Sequence, residues 1–273
     1  MTRTKLVTTC ATTLFVALSL VACDQGSGSS FARKSTTTSS QQSPVDDGTS
    51  SNGEENELPD DADTGDTGDA TGQPAPALSA VDINAARAAL GSLPTRGFSP
   101  NIPKYDRNEF GKPWSDDVTV DGGHNGCDTR NDILARDLTD VEFKPAKRNC
   151  IVTKGKLNDP YTNTTIDFKR GRKSSDLIPI DHVVALGDAW YSGAYQWDAD
   201  RRRNFANDPI NLQATNRESN IQKSAKNAAE WLPPNTAYQC EYVGRQITIK
   251  STYGLSVTPA EKNAMEKVLA TCS

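Results

Sequence analysis

The chain has only two histidines, His124 and His182, and one of them stands among other groups able to do chemistry. Asp181 precedes His182, Asn211 follows later, Asn220 lies nine residues beyond Asn211, and Lys223 three further. An imidazole has the side-chain pKa suited to taking a proton from water near neutral pH. Asp181 and Asn220 offer a carboxylate and an amide oxygen, hard donors that suit Mg²⁺ or Mn²⁺ rather than Zn²⁺. Asn211 is the residue expected to hold the imidazole in the tautomer that leaves one nitrogen free. Lys223, one helical turn beyond Asn220, is expected to meet a phosphate oxygen as a point charge. A deprotonated water beside a divalent cation is what hydrolysis of a phosphodiester requires. Two histidines also exclude a site built from several imidazole ligands.

Taken singly, each residue has an ordinary alternative. Asn220 could cap a helix, Lys223 could lie on a solvated face, and Asn-Leu commonly leads a turn into a strand. Their joint order and spacing carry the reading. Two basic clusters flank the set: Lys169-Arg170-Gly171-Arg172-Lys173 and Arg201-Arg202-Arg203. Arg170, Arg172 and Arg203 are expected to contact substrate phosphates, with a solvated surface as the alternative. Trp190, Tyr191, Tyr195 and Trp197 could stack bases, but a core role fits them better. His124, in a glycine-rich loop, reads as a surface residue.

The elements that must position this set follow from periodicity. Leu177 to Leu186 alternates and is rich in Ile and Val, which predicts a strand. Short helices are expected over 188–195 and 198–205, then a turn at Asn207-Asp208-Pro209 and a strand over 211–215. From Ser219 a helix is expected to carry Ile221, Ala225, Ala228, Ala229 and Leu232 on one face, with Asn220, Lys223 and Asn227 opposite, until Pro233-Pro234 stops it. Upstream, a helix capped by Ser79 and ended by Gly91 precedes a proline-rich connection over 94–114. A further helix spans 127–138, and strands are expected over 141–153 and 165–168. Thr258, Pro259 and Glu261 open a C-terminal helix with a capping box.

Composition removes the first part of the chain from this arrangement. Arg3 and Lys5 precede an apolar stretch from Leu14 to Ala22, which reads as an export signal over 1–23. It ends Leu20-Val21-Ala22-Cys23, the pattern in which Cys23 becomes the lipidated first residue, with ordinary cleavage as the alternative. Residues 24–78 are Ser, Thr, Gly and acid, too poor in apolar side chains to fold, and read as a disordered tether spanning roughly 40 Å. The tether has net charge −9 and residues 79–273 net +2, so the acidic balance of the chain belongs to the tether. Cys127, Cys150, Cys240 and Cys272 then remain for one exported folded domain over 79–273. Four cysteines allow three pairings. Cys127–Cys150 with Cys240–Cys272 is preferred because each closes a local loop; a zinc site lacks the spacing.

The segments GCDTRNDILARDL (126–138), DPYT (159–162), IDHVVALGDAWYSGAYQW (180–197), RNFANDPINL (203–212), NIQKSAKNAAEWLPP (220–234) and the last two cysteines resemble the secreted actinobacterial HNH endonuclease family. That family is related to the C-terminal nuclease domain of GmrSD-type restriction enzymes. The resemblance implies an α+β fold with a ββα-metal core, disulfide-braced, and a metal-dependent endonuclease. It assigns Asp181, His182, Asn211 and Asn220 the roles given above and adds Asn207 and Asp208 as site-lining residues. Asn220 stands where many HNH enzymes have histidine, and Ala185 where relatives often carry proline. The expectation is a monomer, held to the membrane only by a lipid anchor or secreted, cutting DNA in preference to RNA with little sequence preference. The alternative is a catalytically silent surface lipoprotein that binds nucleic acid or envelope through the same fold.

Overall fold

The computed structural model describes Ala75, Ala77 and residues 80–145, 149–172 and 174–273. The expected leader, Cys23, nearly all of the tether, and residues Ser79 and Lys173 lie outside the described residues. Helix α1 spans Ile83–Ser92 and is capped by Asp82, whose Oδ1 accepts from the backbone N–H groups of Asn84 and Ala85 at 2.9 and 3.0 Å. It continues through Gly91, contrary to expectation, because nothing at that position demands a left-handed turn. Helix α2, Thr129–Asp137, is capped by Asp128 and leads directly into strand β1, Leu138–Phe143.

Strands β2, Val152–Asp159, and β3, Thr164–Lys169, complete an antiparallel sheet in the order β1-β2-β3. The single strand expected over 141–153 is therefore two, reversed between Phe143 and Val152. Asn149 sits there at φ 56°, a left-handed conformation that asparagine tolerates well. Strand β4 is short, Ile180–His182, and pairs antiparallel with β5, Leu212–Ala214, placing His182 opposite Leu212 and Asp181 opposite Gln213. Between them come α3, Leu186–Ser192, and α4, Ala199–Asn207.

Helix α5 runs from Arg217 to Lys223 under an Asn216 cap and stops at Ser224, whose φ is 48°. The longer helix expected to Leu232 is not formed. Its proposed faces are also exchanged, since Ile221 is 61 % exposed and Lys223 is fully buried. Helix α6, Gln239–Tyr253, went unanticipated; α7, Pro259–Leu269, has the Thr258–Glu261 capping box expected of it. The two disulfides are Cys127–Cys150 and Cys240–Cys272, the preferred pairing.

The fold is thus α+β, with two apolar cores. One gathers α1, α3, α6 and α7 with Phe205, Val183 and Val184; the other packs α2 against the three-stranded sheet together with Ile180, Leu212 and Ala214. Strand β4 leaves the second core at Ile180 and enters the first at Val183. Asp181 and His182 occupy the crossing point. Among the described residues, no helix is long and apolar enough to cross a membrane.

Candidate active site

Alternation along β4 sends neighbouring side chains to opposite sides. Asp181 points into packed interior. Its Oδ2 accepts from the Tyr161 hydroxyl at 2.6 Å and its Oδ1 from the Lys223 ammonium at 2.9 Å. Lys223 also donates to the His182 carbonyl at 2.7 Å. Burial and the adjacent Asp181 carboxylate raise the Tyr161 phenol well above its ordinary value, so it remains a donor. The expectation that Lys223 meets a phosphate is corrected by this geometry: its side chain is 0 % exposed and its charge is used to pair Asp181.

His182 lines a cleft instead, together with Arg107, Lys112, Trp114 and Asn207. Its Nε2 lies 2.9 Å from the carbonyl oxygen of Ala206 on α4. A carbonyl can only accept, so Nε2 carries the proton and Nδ1 is left with its lone pair. The Trp114 ring stacks on the imidazole, centroids 6.0 Å apart and planes within 13°. Burial, then the Arg107 guanidinium, push the imidazolium pKa down to about 3, against the Ala206 hydrogen bond, with Lys223 adding a smaller push. The ring is therefore neutral across the physiological range, with the Nδ1 lone pair free, and a weaker base than an ordinary imidazole.

Asn211 acts one step away from where it was expected. Its Oδ1 accepts from the Val184 N–H at 2.8 Å and its Nδ2 donates to the Val184 carbonyl at 3.2 Å. Its own carbonyl accepts from Val183 N–H at 2.8 Å. It thus clamps the backbone just after His182 where the ladder ends, while Ala206 holds the tautomer. Asn220 is half-buried on α5 and is not among the residues lining the cleft.

Of the other expected contacts, Asn207 reaches the cleft. It is 1 % exposed, its Nδ2 donates to the Arg203 carbonyl, and its Oδ1 is buried with no partner among the described residues. Asp208 turns inward: Oδ1 accepts from Ile210 N–H and Oδ2 from the Tyr253 hydroxyl. Arg170 braces the sheet, donating to the Val152 carbonyl and the Asn131 Oδ1 at 2.7 and 2.6 Å. Arg203 pairs with Asp200 and Asp117 at 3.2 and 3.7 Å, and Arg172 is exposed but does not line the cleft. Of the four aromatic candidates, Trp190 is core, Tyr195 and Trp197 pack partly buried against it, and Tyr191 is 39 % exposed.

Sequence reasoning missed Arg107, Lys112 and Trp114. They lie in the proline-rich connection, and the only signal was two cations and a tryptophan in a stretch otherwise lacking pattern. Trp114 holds φ 56°, which costs a bulky residue on the order of 1–2 kcal/mol and marks a conformation imposed by its surroundings.

Residues 128–268 match the family described as "GmrSD restriction endonucleases, C-terminal domain". An "Uncharacterized secreted protein" of the fungus Arthroderma benhamiae is 36 % identical over 203 residues, covering 73 % of this chain and 92 % of the relative. The relative is secreted, as the resemblance implied, but it is fungal, and nothing ties the likeness to actinobacteria. No solved structure matches the chain.

Proposed function

The chain belongs to the family of GmrSD restriction endonuclease C-terminal domains, and from that premise we propose an HNH-type endonuclease that hydrolyses nucleic-acid phosphodiesters outside the cytoplasm. The observation that carries the reading is His182, with Nε2 fixed on Ala206 and the imidazole kept neutral beside a cationic cleft. In the proposed step His182 Nδ1 takes a proton as the water oxygen bonds to phosphorus. The phosphorus–oxygen bond to the leaving group then breaks, and the departing oxygen is protonated by solvent. Burial is the larger cause of the lowered imidazole pKa and the Arg107 guanidinium the smaller, and an anionic phosphodiester beside Arg107 offsets only the smaller. The order β4, β5, α5 along the chain supports the ββα reading.

Family membership supports a divalent ion such as Mg²⁺ or Mn²⁺, with Asp181 and Asn220 the expected ligands. The donor set does not fit one as arranged. Both Asp181 oxygens are bonded already, to Tyr161 and Lys223, and among the described residues no carboxylate lines the cleft. Among the described residues no three His, Cys, Asp or Glu groups converge to hold a metal. No step is therefore routed through a metal. DNA as the preferred substrate, a monomeric state and a lipid anchor at Cys23 belong to the same proposal. The two disulfides and the secreted relative support an oxidising compartment.

One observation favours the silent binding module: Asp181 and Lys223 satisfy each other, leaving neither available for catalysis. Incubating the purified protein with plasmid DNA and with RNA, in Mg²⁺, in Mn²⁺ and in chelator, decides the matter. The proposal expects cleavage of at least one substrate. Cleavage of neither in any condition leaves the binding module.

A further inference from the structure

We propose that the strap from Arg107 to Trp114, through Arg107 and Lys112, is the arm that grips the phosphates of a nucleic-acid strand at the His182 cleft. The inference rests on the nuclease reading above and adds to it the residues that select a polyanionic strand. The strap lies outside residues 128–268, the stretch matched by the family, so this part of the site is supplied by the chain's own upstream segment.

The charge arrangement is what points to a strand. Arg107 and Lys112 line the cleft and are both exposed, and among the described residues no carboxylate lines it with them. One acid stands within the strap and another just before it, and neither lines the cleft. Asp106 accepts from the Asn108 N–H at 2.9 Å as the cap of the 3₁₀ turn Arg107–Phe110, and Glu109 pairs with Arg202 at 2.9 Å. Three of the cations expected to do this work are engaged elsewhere, Arg170 on backbone and Asn131, Arg203 on Asp117 and Asp200, Lys223 on Asp181, and the fourth, Arg172, does not line the cleft.

Asn207 offers a second, independent observation. Asn207 Oδ1 is a buried acceptor with no partner among the described residues, beside the imidazole whose Nδ1 is also an acceptor. A buried acceptor left unpaired is costly, and a bound water or a ligand donor would satisfy it. Two acceptors and two cations on the residues that line one cleft suit a water and a phosphate respectively.

The test is equilibrium binding of the full chain to a short fluorescein-labelled single-stranded phosphorothioate oligodeoxynucleotide, followed by anisotropy between about 50 and 200 mM NaCl. Arg107→Ala/Lys112→Ala is compared with Lys154→Ala/Lys156→Ala, which removes the same charge from exposed positions on β2. Two lost phosphate contacts lower the slope of log K against log salt by about 1.4, at roughly 0.7 each for a single strand. The strap variant is expected to show that loss with affinity on the order of tenfold weaker, and the β2 variant to keep the wild-type slope. An unchanged slope in the strap variant, an equal loss in the β2 variant, or no binding by wild type overturns the arm. Strap-dependent binding by a wild type that cuts no substrate sinks the nuclease reading and leaves the arm standing. Cutting with a strap-independent slope does the reverse.

Discussion

The Lys223 ammonium lies 2.9 Å from the Asp181 carboxylate in interior that solvent does not reach, 0 % exposed on one side and 5 % on the other. The pair ties the last turn of α5 to β4, and a second bond from Lys223 to the His182 carbonyl fixes the strand at the residue that faces the cleft. Tyr161 completes the set from the end of the β2–β3 hairpin. The ion pair therefore positions His182 without touching its imidazole.

Removing one partner of a buried pair strands the other charge, typically at about 3–5 kcal/mol. Lys223→Met is expected to lower the urea-denaturation stability by that order. Asp181→Asn/Lys223→Met should recover part of the loss, because no lone charge remains. A Lys223→Met protein as stable as wild type would contradict the buried pairing.

Asn211→Ala removes both side-chain bonds to Val184 while leaving the imidazole's own partner, Ala206, in place. The buried Val184 groups are then unpaired, at about 1–3 kcal/mol. Turnover should fall with stability, because the backbone after His182 is released. A thermal melt beside an activity assay checks both; loss of turnover with an unchanged melt would assign Asn211 a direct chemical role.

How much of this was legible in the sequence depended on whether the signal was local. The Thr258–Glu261 capping box is spelled within four residues and forms as written. The β4, β5 and α5 order was also readable from periodicity, and loop length gave a preference, among three possible pairings, for the disulfides that form. Lys223 was not: a lysine between polar neighbours reads as surface, and only Asp181, forty-two residues earlier, makes its burial tolerable. The same long-range pairing inverted the faces of α5 and left Ile221 outside. Helix α6 escaped notice because Arg245, Gln246 and Lys250 interrupt its apolar face. Each is buried with partners on distant elements: Leu212, Val183 and Asp188. The strap carrying Arg107 and Lys112 has no periodicity at all.

Two buried groups give opposite pH dependences. Burial pushes the Asp132 carboxyl up to about 7, against its Asn125 hydrogen bond. The folded state then holds a proton the unfolded state has released, so stability falls as pH rises from about 4 through 7. Asp132→Asn is expected to gain on wild type at pH 8, by up to about 4 kcal/mol, and not at pH 4. Equal effects at both pH values would contradict a buried, protonated Asp132.

His182 runs the other way. Its folded value of about 3 lies below the unfolded one, so the unfolded state binds the extra proton and stability is lost as pH falls below about 6.5. In NMR titration the His182 ring signals should not move between pH 8 and 5. A His182 midpoint near 6.5 would contradict the burial described.

The Cys240–Cys272 bridge joins the start of α6 to the end of the chain across a separation of 32 residues. Replacing both cysteines by serine is expected to cost about 3–4 kcal/mol in chemical denaturation. The loss should be absent when wild type is compared under reducing conditions. A variant matching oxidised wild type would show that the packing of α7 on α6 suffices without the bridge.

The measurement closest to the central claim is strand cleavage by wild type and by His182→Ala, with oligonucleotide binding recorded on the same preparations. The account predicts that the substitution abolishes cleavage, by at least a hundredfold, while binding stays within a few-fold of wild type. Cleavage that survives the substitution would contradict His182 as the base.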